Sequence, residues 1–513
     1  MTVNGITRRA APSATRVIDA ASTRRRGGAA IRQAGCIAVG LAAVFWHSSA
    51  AAQTAGETPS LLTMVSTLTD TGVYQFNALA FAAARANDAA YAKLLPLCAG
   101  AGTAACAGAT QQLYYQLRAL EDNANEFLGR GETTYSLRLQ PSGVANALQW
   151  TAPEEYSAQG SMTSQFANSQ ASILTNRFAA LHFASMATRL AANVDDGSSA
   201  TWAAAYSALG GSAGADVSNV SFGRFSAFVN SGFGAGVKSP TTFEDAFAFD
   251  STEASAGLDY RISDRLVVGL LAGHTERRVD FNSAESVVAG GIRGNGQSGT
   301  LYVQYEGDAA YLNGSLGSQH MSLRSQRKIT YPSNNPLVPS VNVTAVSDAS
   351  AVTTTASAAG GYVWHYKAAS VEPYINGVYT HTRIGSFTEN ASNGFDVRLD
   401  GQSIVSTEAM LGLKLQYAIL PPFGVIVPYV YGEYRHQFAE SSRTVGSSYA
   451  SDASASSDFN LPTDAAPNHY YVAGAGASIV LPHGIQGFVQ YIRVLQYSNY
   501  SDHVFSGGLR WEF

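Results

Sequence analysis

One short motif has the spacing of a catalytic turn. Residues 210–214 read Gly-x-Ser-x-Gly, the pattern that presents the nucleophilic serine of many hydrolases. That turn needs a strand before the serine and a helix after it. Here the motif lies in a segment rich in Gly, Ala and Ser, near Trp202 and Tyr206, where the sequence predicts neither element. We therefore interpret residues 210–214 as part of a linker and predict no hydrolase site.

A second motif has the spacing of a dinucleotide-binding loop. Residues 294–299 read Gly-x-Gly-x-x-Gly, but such a loop must open a helix, and the pattern of residues 300–305 favours a strand. A glycine-rich strand of a tilted barrel accounts for the motif better. The ten histidines are scattered, with no pair at metal-ligand spacing. We expect no catalytic residue, no cofactor and no metal site.

The N-terminal residues predict an export signal over residues 1–52. An apolar run from Gly35 to Trp46 is shorter than the roughly 20 residues of a membrane helix. Ala50-Ala51-Ala52 before Gln53 gives a small-residue cleavage site. Arginines precede the apolar run, among them Arg8, Arg9, Arg24, Arg25, Arg26 and Arg32.

Two cysteines fall in the exported part of the chain. Cys36 opens the apolar core of the leader, which leaves Cys98 and Cys106, eight positions apart. In an oxidising compartment this spacing favours one small disulfide loop. A metal-binding pair is the alternative, although no histidine or further cysteine lies nearby in the sequence.

The composition favours a protein that meets lipid through strands. Charged residues make up 13% of the 513 residues, about half the usual share, while there are 49 Gly, 26 Tyr and 23 Phe. The net charge of -5 argues against a nucleic-acid partner. Only helices and closed barrels satisfy the backbone in a bilayer, and the one apolar run is too short for a membrane helix. A membrane location therefore predicts a β-barrel.

The last nine residues predict a strand with one apolar and one polar face. Side chains alternate between the two faces of a strand, which places Phe505, Leu509, Trp511 and Phe513 on one side and Arg510 on the other. An ordinary amphipathic edge strand would also alternate. A strand that closes a membrane barrel explains the terminal aromatic as well, because its outer face meets lipid and an interfacial aromatic girdle.

The chain from residue 224 onward predicts about twelve antiparallel strands joined by connections of two kinds. Tight turns lie at 263–265, 307–308, 367–368, 420–423 and 482–484, and long polar loops at 326–348, 389–400 and 440–467. Short turns at one end and long loops at the other are typical of an outer-membrane barrel. The predicted strands are 224–233, 246–262, 266–280, 294–307, 310–327, 350–366, 370–388, 402–419, 424–439, 467–481, 485–498 and 503–513.

Two of these strands show which side chains would line the barrel. Polar residues alternate with Leu411, Leu413 and other apolar residues, so the polar set should face the lumen. The charged members of that set are Glu408, Lys414, Glu433 and Arg435. They either serve as the polar lining that any hydrated lumen needs, or pair across the pore and hold a helix there.

The exported chain before the barrel predicts helices. Residues 53–160 carry apolar side chains at a spacing near 3.6, and residues 161–191 contain no Gly or Pro, which predicts a single helix of roughly 45 Å. The small, polar remaining face of that helix would suit a narrow wet passage. A soluble bundle helix is the alternative. A Gly/Ser/Ala-rich linker follows, and we assign residues 161–222 to helix and linker and 223–513 to the barrel.

The C-terminal region resembles the translocator domain of autotransporters, the proteins of type V secretion. The resemblance rests on RFSAFVN (224–230), GLDYRISDRLVVGLLAGHT (257–275), PYVYGEYRHQF (428–438) and GGLRWEF (507–513). It implies a twelve-stranded outer-membrane barrel threaded by a helix, to which residues 161–191 are similar. It also implies that Phe505, Leu509, Trp511 and Phe513 form a signal read by the barrel-assembly machinery, after transit with periplasmic chaperones.

The resemblance implies that the chain moves or displays its own passenger across the outer membrane, without catalysis. Many passengers of this family are long repetitive β-helices, whereas about 110 helical residues precede the threading helix here. Some members carry esterase passengers, but no Gly-Asp-Ser block or Asp-x-x-His follows the leader. The alternatives are a surface adhesin or binding module anchored by the barrel, and a porin-like channel plugged by its N-terminal region.

Overall fold

The described part of the structure before the barrel, within residues 58–163, is helical. The computed structural model describes residues 58–99, 104–130, 133–163, 224–391, 393–438, 443–452, 458–481 and 485–512. Four α-helices are followed by a 3-10 helix, after which residues 157–163 continue in helical conformation. Their bounds are α1 Leu61–Asp70, α2 Ala78–Cys98, α3 Ala109–Leu128, α4 Pro141–Thr151 and the 3-10 helix Glu154–Tyr156.

Local sequence explains where these helices begin and end. The side chain of Asn77 accepts a hydrogen bond of 2.9 Å from the amide of Ala80, so it caps α2. Gly129 ends α3 in the left-handed conformation, which glycine adopts without steric cost. Pro141 occupies the first turn of α4, where its missing N–H is not needed.

Twelve of the described strands form one closed antiparallel barrel. Each strand pairs with its neighbours in sequence order, β8 pairs with β11, and the ring closes where β1 pairs with β17. The short β7, Trp364–Tyr366, continues the line of β6 along β8. The barrel strands are β1 Phe225–Lys238, β2 Phe247–Ser263, β3 Leu266–Phe281, β4 Gly290–Glu306, β5 Ala310–Tyr331, β6 Val341–Tyr362, β8 Ala369–Ile384, β11 Gln402–Tyr417, β12 Val425–Gln437, β15 His469–Val480, β16 Ile485–Leu495 and β17 Tyr500–Glu512.

The alternation of side chains follows the predicted sense, apolar outside and polar inside. Outward residues such as Leu258, Leu411 and Val489 are more than half exposed, although they are large and apolar. Their inward neighbours include buried Asp259 and Glu408. An apolar outer band with a polar interior is what a barrel in lipid requires. The twelve-stranded barrel predicted from the sequence is therefore confirmed.

The two ends of the barrel differ. Short connections at 264–265, 307–309, 367–368, 418–424 and 481–484 define the turn end, and the connections at 239–246, 282–289, 332–340, 385–401, 438–468 and 496–499 define the loop end. The predicted loop 326–348 is wrong in extent. Strand β5 continues to Tyr331 and β6 begins at Val341, because this hairpin projects beyond the ring with its strands still paired.

A second, four-stranded sheet lies at the loop end. It consists of β9 Phe387–Thr388, β10 Val397–Leu399, β13 Thr444–Tyr449 and β14 Phe459–Pro462, in the order β14-β13-β10-β9. These strands come from the predicted long polar loops 389–400 and 440–467 and their flanks, so parts of those loops are strands. The loops form a sheet because Val397, Tyr449 and Phe459 find apolar partners in the N-terminal helices.

Candidate functional site: the mouth of the barrel

The helices and the loop-end sheet share one hydrophobic core. Buried residues of α1, α3 and α4, such as Leu61, Leu117 and Leu148, belong to the same cluster as Phe395 and Tyr449 of the loop end. We call residues 58–151 the helical domain and residues 154–163 the mouth segment. The helical domain is thus packed onto the loop end of the barrel, with apolar surface buried between them.

Polar contacts reinforce this packing at its edges. The amide of Asn335, in the β5–β6 turn, donates hydrogen bonds of 2.9 and 2.8 Å to the carbonyls of Thr134 and Ser136. Tyr449 donates a bond of 2.6 Å to Asn87 of α2.

An ion-pair triad forms a further contact. The ammonium of Lys93, in α2, lies 2.6 Å from a carboxylate oxygen of both Asp452 and Asp458. The helical domain is therefore held by hydrogen bonds to the connection that follows β5 (332–340), and by a hydrogen bond and ion pairs to the connection that follows β12 (438–468).

A buried ion pair lies at the centre of the mouth. Arg327 of β5 donates two hydrogen bonds, of 2.8 and 2.7 Å, to the two carboxylate oxygens of Glu389, and both side chains are almost fully buried. Tyr156 donates a bond of 2.6 Å to the same carboxylate, and Arg327 also donates to the carbonyl of Trp150 at 3.3 Å. One barrel strand, one loop and the end of the helical domain therefore meet at a single carboxylate.

Three further carboxyl groups surround this pair. Glu154 and Glu155 of the mouth segment are buried, and Asp245 of the β1–β2 connection faces Glu154. Burial and the nearby charge of Asp245 hold the pKa of Glu154 well above its usual range. Burial raises the pKa of Glu155 to about 8, against the opposing effect of Arg327. With a pKa of about 8, Glu155 therefore carries a proton at neutral pH, where a glutamate is normally ionised.

The mouth segment enters the ring of strands. Gln159 donates a hydrogen bond of 3.1 Å to Ser325, which faces inward from β5. Arg443 donates to the carbonyl of Ser157, and a Cβ at Gly160 would overlap its guanidinium, so a larger residue there would displace this arginine. Met162 belongs to a buried cluster with inward residues of six strands. Of the predicted threading helix only residues 161–163 are described; residues 164–191 and the linker lie outside the described residues, as does the signal peptide.

The four predicted lumen residues all face inward and form two contacts with each other. Arg435 lies 2.6 Å from Glu433 and 4.0 Å from Glu408. Tyr374 and Tyr470 donate hydrogen bonds of 2.7 and 2.8 Å to these two glutamates. The ammonium of Lys414 lies 4.6 Å from the ring centre of Tyr429. All four side chains therefore have charged, hydroxyl or aromatic neighbours on the barrel strands, in a lining in which charges also pair.

The terminal strand presents its predicted aromatic face outward. Phe505, Leu509 and Trp511 are 58%, 62% and 58% exposed, whereas Arg510 is buried inside. Trp511 lies opposite Ala227 of β1 and Ile485 of β16, so it sits on the strand that closes the ring. Phe513 lies outside the described residues.

Cys98 and Cys106 are joined in a disulfide, with their Cα atoms 5.2 Å apart. The bridge links the end of α2 to the residues just before α3. The motif at 294–299 lies within strand β4, where no helix follows, so it does not form a dinucleotide-binding loop. The motif at 210–214 lies outside the described residues.

Sequence reasoning did not identify Tyr156, Arg327 and Glu389. They lie far apart in the sequence and in segments assigned to different domains. One signal was available: Pro153-Glu154-Glu155-Tyr156 places two acids and an aromatic directly before the predicted threading helix. None of the helices in the described ranges has both the length and the apolar character needed to cross a membrane.

Comparison with known proteins identifies the family. The model of the autotransporter beta-domain matches residues 227–492, which is more than half of the chain. The chain therefore belongs to the autotransporter family, and its barrel is an outer-membrane translocator domain. No curated protein matches the chain.

Solved structures with a similar fold include three autotransporter domains. The translocator domain of NalP from Neisseria meningitidis is 13% identical, with 56% of this chain and 88% of that chain covered and a TM-score of 0.43. The beta domain of the Bordetella autotransporter BrkA is 18% identical, with 56% and 100% covered and a TM-score of 0.41. The transport unit of AIDA-I from Escherichia coli is 12% identical, with 61% and 98% covered and a TM-score of 0.36.

Proposed function

We propose that this autotransporter displays its own helical domain at the cell surface and keeps it docked on the barrel that exported it. In this arrangement the loop end faces outside and the turn end faces the periplasm. The observation that carries the proposal is the core shared by the helices and the loop-end sheet. A passenger destined for release has no use for such a core, because separation would expose its apolar side chains to water.

The construction of the barrel supports a simple route by which a polar chain could cross the membrane. Its strands satisfy one another's backbone groups, so the ring is stable in lipid while its interior stays polar. A polar lumen lets an extended chain cross without giving up its hydration. After export the helical domain folds on the loop end, and Arg327, Glu389 and Tyr156 fix the mouth segment. No step requires catalysis, so we propose that the protein is not an enzyme.

Surface labelling tests this function. Cysteines introduced singly at Val73, Leu337 and Asp264 would be treated with a membrane-impermeant maleimide on intact cells. Val73 of the helical domain and Leu337 of the β5–β6 turn are 64% and 61% exposed, and Asp264 is in a tight turn. We expect labelling at Val73 and Leu337 but not at Asp264.

Other labelling results, or release of the helical domain, would contradict a particular part of the proposal. Labelling at Leu337 without Val73 would show that the helical domain is not displayed. Labelling at Asp264 alone would reverse the orientation of the barrel. A helical domain recovered from the medium instead of the cells would replace display by secretion.

A plugged channel is the second candidate function. It is supported by the mouth segment, which lies inside the ring with Met162 packed against inward residues such as Met321. Single-channel conductance of the purified protein distinguishes the two. A translocator whose pore closes after export should conduct little, whereas a channel should open and pass small solutes with its helical domain in place.

A further inference from the structure

Three arginines form a row across the outer wall of the barrel. Arg278 of β3 lies directly opposite Arg293 of β4, and Arg293 lies directly opposite Arg324 of β5. All three side chains are exposed on the outward face. We call them the arginine row. Aspartates end the row on both sides, since Asp250 of β2 pairs with Arg278 and Asp348 of β6 pairs with Arg324.

The row is electrostatically unfavourable on its own. Side chains directly opposite on antiparallel strands have Cβ atoms about 5 Å apart, and like charges in such positions repel. Arg278 has a partner on its own strand, Asp280, at 2.9 Å. Arg293 and Arg324 have no hydrogen bond or ion pair with any described residue. Two adjacent guanidinium groups with no anion between them define an anion-binding arrangement.

The shape of the surface agrees with this. A groove of about 930 Å³ runs between these side chains. Its outward charged lining consists of Arg278, Arg293 and Arg324 together with the carboxylates of Asp250, Glu276 and Asp348, and Asn295 and Ser322 also belong to the lining. The hydroxyl of Ser322 and the amide of Asn295 add neutral hydrogen-bonding groups beside the guanidinium groups. Such a mixture suits the oxygens of a phosphate better than a flat apolar surface does.

The position of the arginine row along the barrel axis indicates the source of the anion. The same three strands carry a leucine row, Leu270, Leu301 and Leu316, whose members also lie directly opposite one another and are more than half exposed. Each arginine is eight positions from the leucine of its own strand. At about 3.4 Å per residue and a tilt near 40°, the arginines lie roughly 20 Å closer to the loop end.

The hydrocarbon core of a bilayer extends only about 15 Å from its centre. If the leucine row marks the apolar band, the arginine row is at the level of the lipid headgroups. We propose that the arginine row binds a phosphate of an anionic glycolipid in the outer leaflet. Arg293 and Arg324 hold it through paired N–H···O bonds, the geometry in which guanidinium groups bind phosphate best. This site rests on the orientation in the proposed function, with the loop end outside, and not on what the helical domain binds.

Binding to lipid discs of defined composition tests the proposal. The double variant Arg293→Gln/Arg324→Gln and the intact protein would be placed in phosphatidylcholine discs with and without deep-rough lipopolysaccharide. Each arginine near an anionic membrane surface contributes about 1 kcal/mol. We therefore expect the double variant to bind lipopolysaccharide on the order of 30-fold more weakly.

A matched control is available on the same wall. Arg383 of β8 is also exposed and outward, but it pairs with uncharged Val352 and Ser403. Arg383→Gln should leave the affinity within about twofold, because no second guanidinium helps Arg383 hold the anion. Heat-dependent gel mobility would show that all variants have folded barrels.

Competition by inorganic phosphate and direct binding of a soluble sulfated polysaccharide distinguish the lipid from other anions. Inorganic phosphate should compete only weakly, since it lacks the acyl chains that would lie along the leucine row. Equal binding of lipopolysaccharide by the double variant and the intact protein would overturn the proposal. So would tight binding of a soluble sulfated polysaccharide that the double variant loses while lipopolysaccharide binding is unchanged.

Discussion

Tyr156 and Glu389 lie 233 positions apart in the chain and are joined by a hydrogen bond of 2.6 Å that the phenol donates. Tyr156 belongs to the mouth segment and Glu389 to the connection after β8, so the bond joins the mouth segment to a loop of the barrel. Arg327 of β5 binds the same carboxylate. Glu389 therefore controls how firmly the mouth segment is held.

Replacing Glu389 by Gln should loosen the mouth. The substitution leaves the guanidinium of Arg327 buried without an ion partner, which typically costs about 3–5 kcal/mol. Tyr156→Phe is a milder control that removes one hydrogen bond to a charged group, worth about 1.5–3 kcal/mol. Hydrogen exchange of α4 should rise in both variants, and more in Glu389→Gln. Equal exchange in the two would contradict the central role of the carboxylate.

Docking of the helical domain should weaken as the pH rises. Burial raises the pKa of Glu155 to about 8 from its ordinary 4.5. Between pH 4.5 and pH 8, Glu155 therefore holds a proton when the helical domain is docked and loses it when the domain is released. The released state binds fewer protons, so docking stability is greatest below pH 4.5 and falls until pH reaches about 8. Burial raises the pKa of Glu154 and of Asp245 in the same direction.

This effect is measured by the denaturant concentration at which half of the helical domain is released. Release is followed with a fluorophore attached to the Val73→Cys variant. Glu155→Gln should flatten part of the pH profile. A midpoint that rises between acid and neutral pH would show that the docked carboxyls are ionised.

Removing the disulfide should destabilise the helical domain alone. The bridge closes a short loop between α2 and α3, for which the chain-entropy model gives roughly 2–3 kcal/mol. Cys98→Ser/Cys106→Ser should therefore lower the urea midpoint of the helical signal in circular dichroism. Heat-dependent gel mobility of the barrel should not change. Loss of this heat-dependent mobility would show that the stability of the barrel depends on the disulfide as well.

Deleting residues 164–191 should open the pore. The mouth segment already lies inside the ring at the loop end, and the predicted helix has the length to continue across a core of about 30 Å. We expect a strong rise in single-channel conductance relative to the intact protein. Unchanged conductance, in a variant that keeps heat-dependent mobility, would place the deleted residues outside the lumen.

Deleting Phe513 should impair assembly more than stability. One outward aromatic on a barrel girdle contributes only a few kcal/mol of burial, too little to unfold a closed ring. We expect cells to accumulate or degrade the variant in the periplasm, while the purified variant refolds in detergent. Normal surface levels would contradict a role in recognition by the assembly machinery, and failure to refold would assign Phe513 to stability.

The barrel was predictable because its strands obey a simple period. Lipid on one side and a wet lumen on the other force alternation, which the sequence displays at Leu411, Leu413 and Leu415. Beyond the membrane the alternation continues, but its sense changes. Residues 326–331 and 341–348 extend β5 and β6, and Ile329 and Tyr331 are the buried, apolar positions, packed on the helical domain, whereas Lys328 between them is exposed. The sense expected of a lipid-facing strand is therefore absent, and the stretch resembles a loop in the sequence.

The mouth was not predictable from local pattern. Arg327, Glu389 and Tyr156 are each one polar residue in an unremarkable segment, and their burial results from tertiary contacts. The loop-end strands were missed for the same reason, since their apolar partners come from helices more than 200 positions earlier: Val397 belongs to the same buried cluster as Leu117. Helix α4 had one usable signal, Pro141 at its first position.

The pairing of β1 with β17 sets an order of events in biogenesis. Val229 of the first barrel strand meets Leu509 of the last, so the two strands that form the seam are separated by nearly the whole barrel sequence. The ring cannot close until residues near 512 have been synthesised and exported. The helical domain precedes β1, so it is translated before the strand that closes the ring, and under the proposed function its transport across the outer membrane waits for translation of the whole barrel.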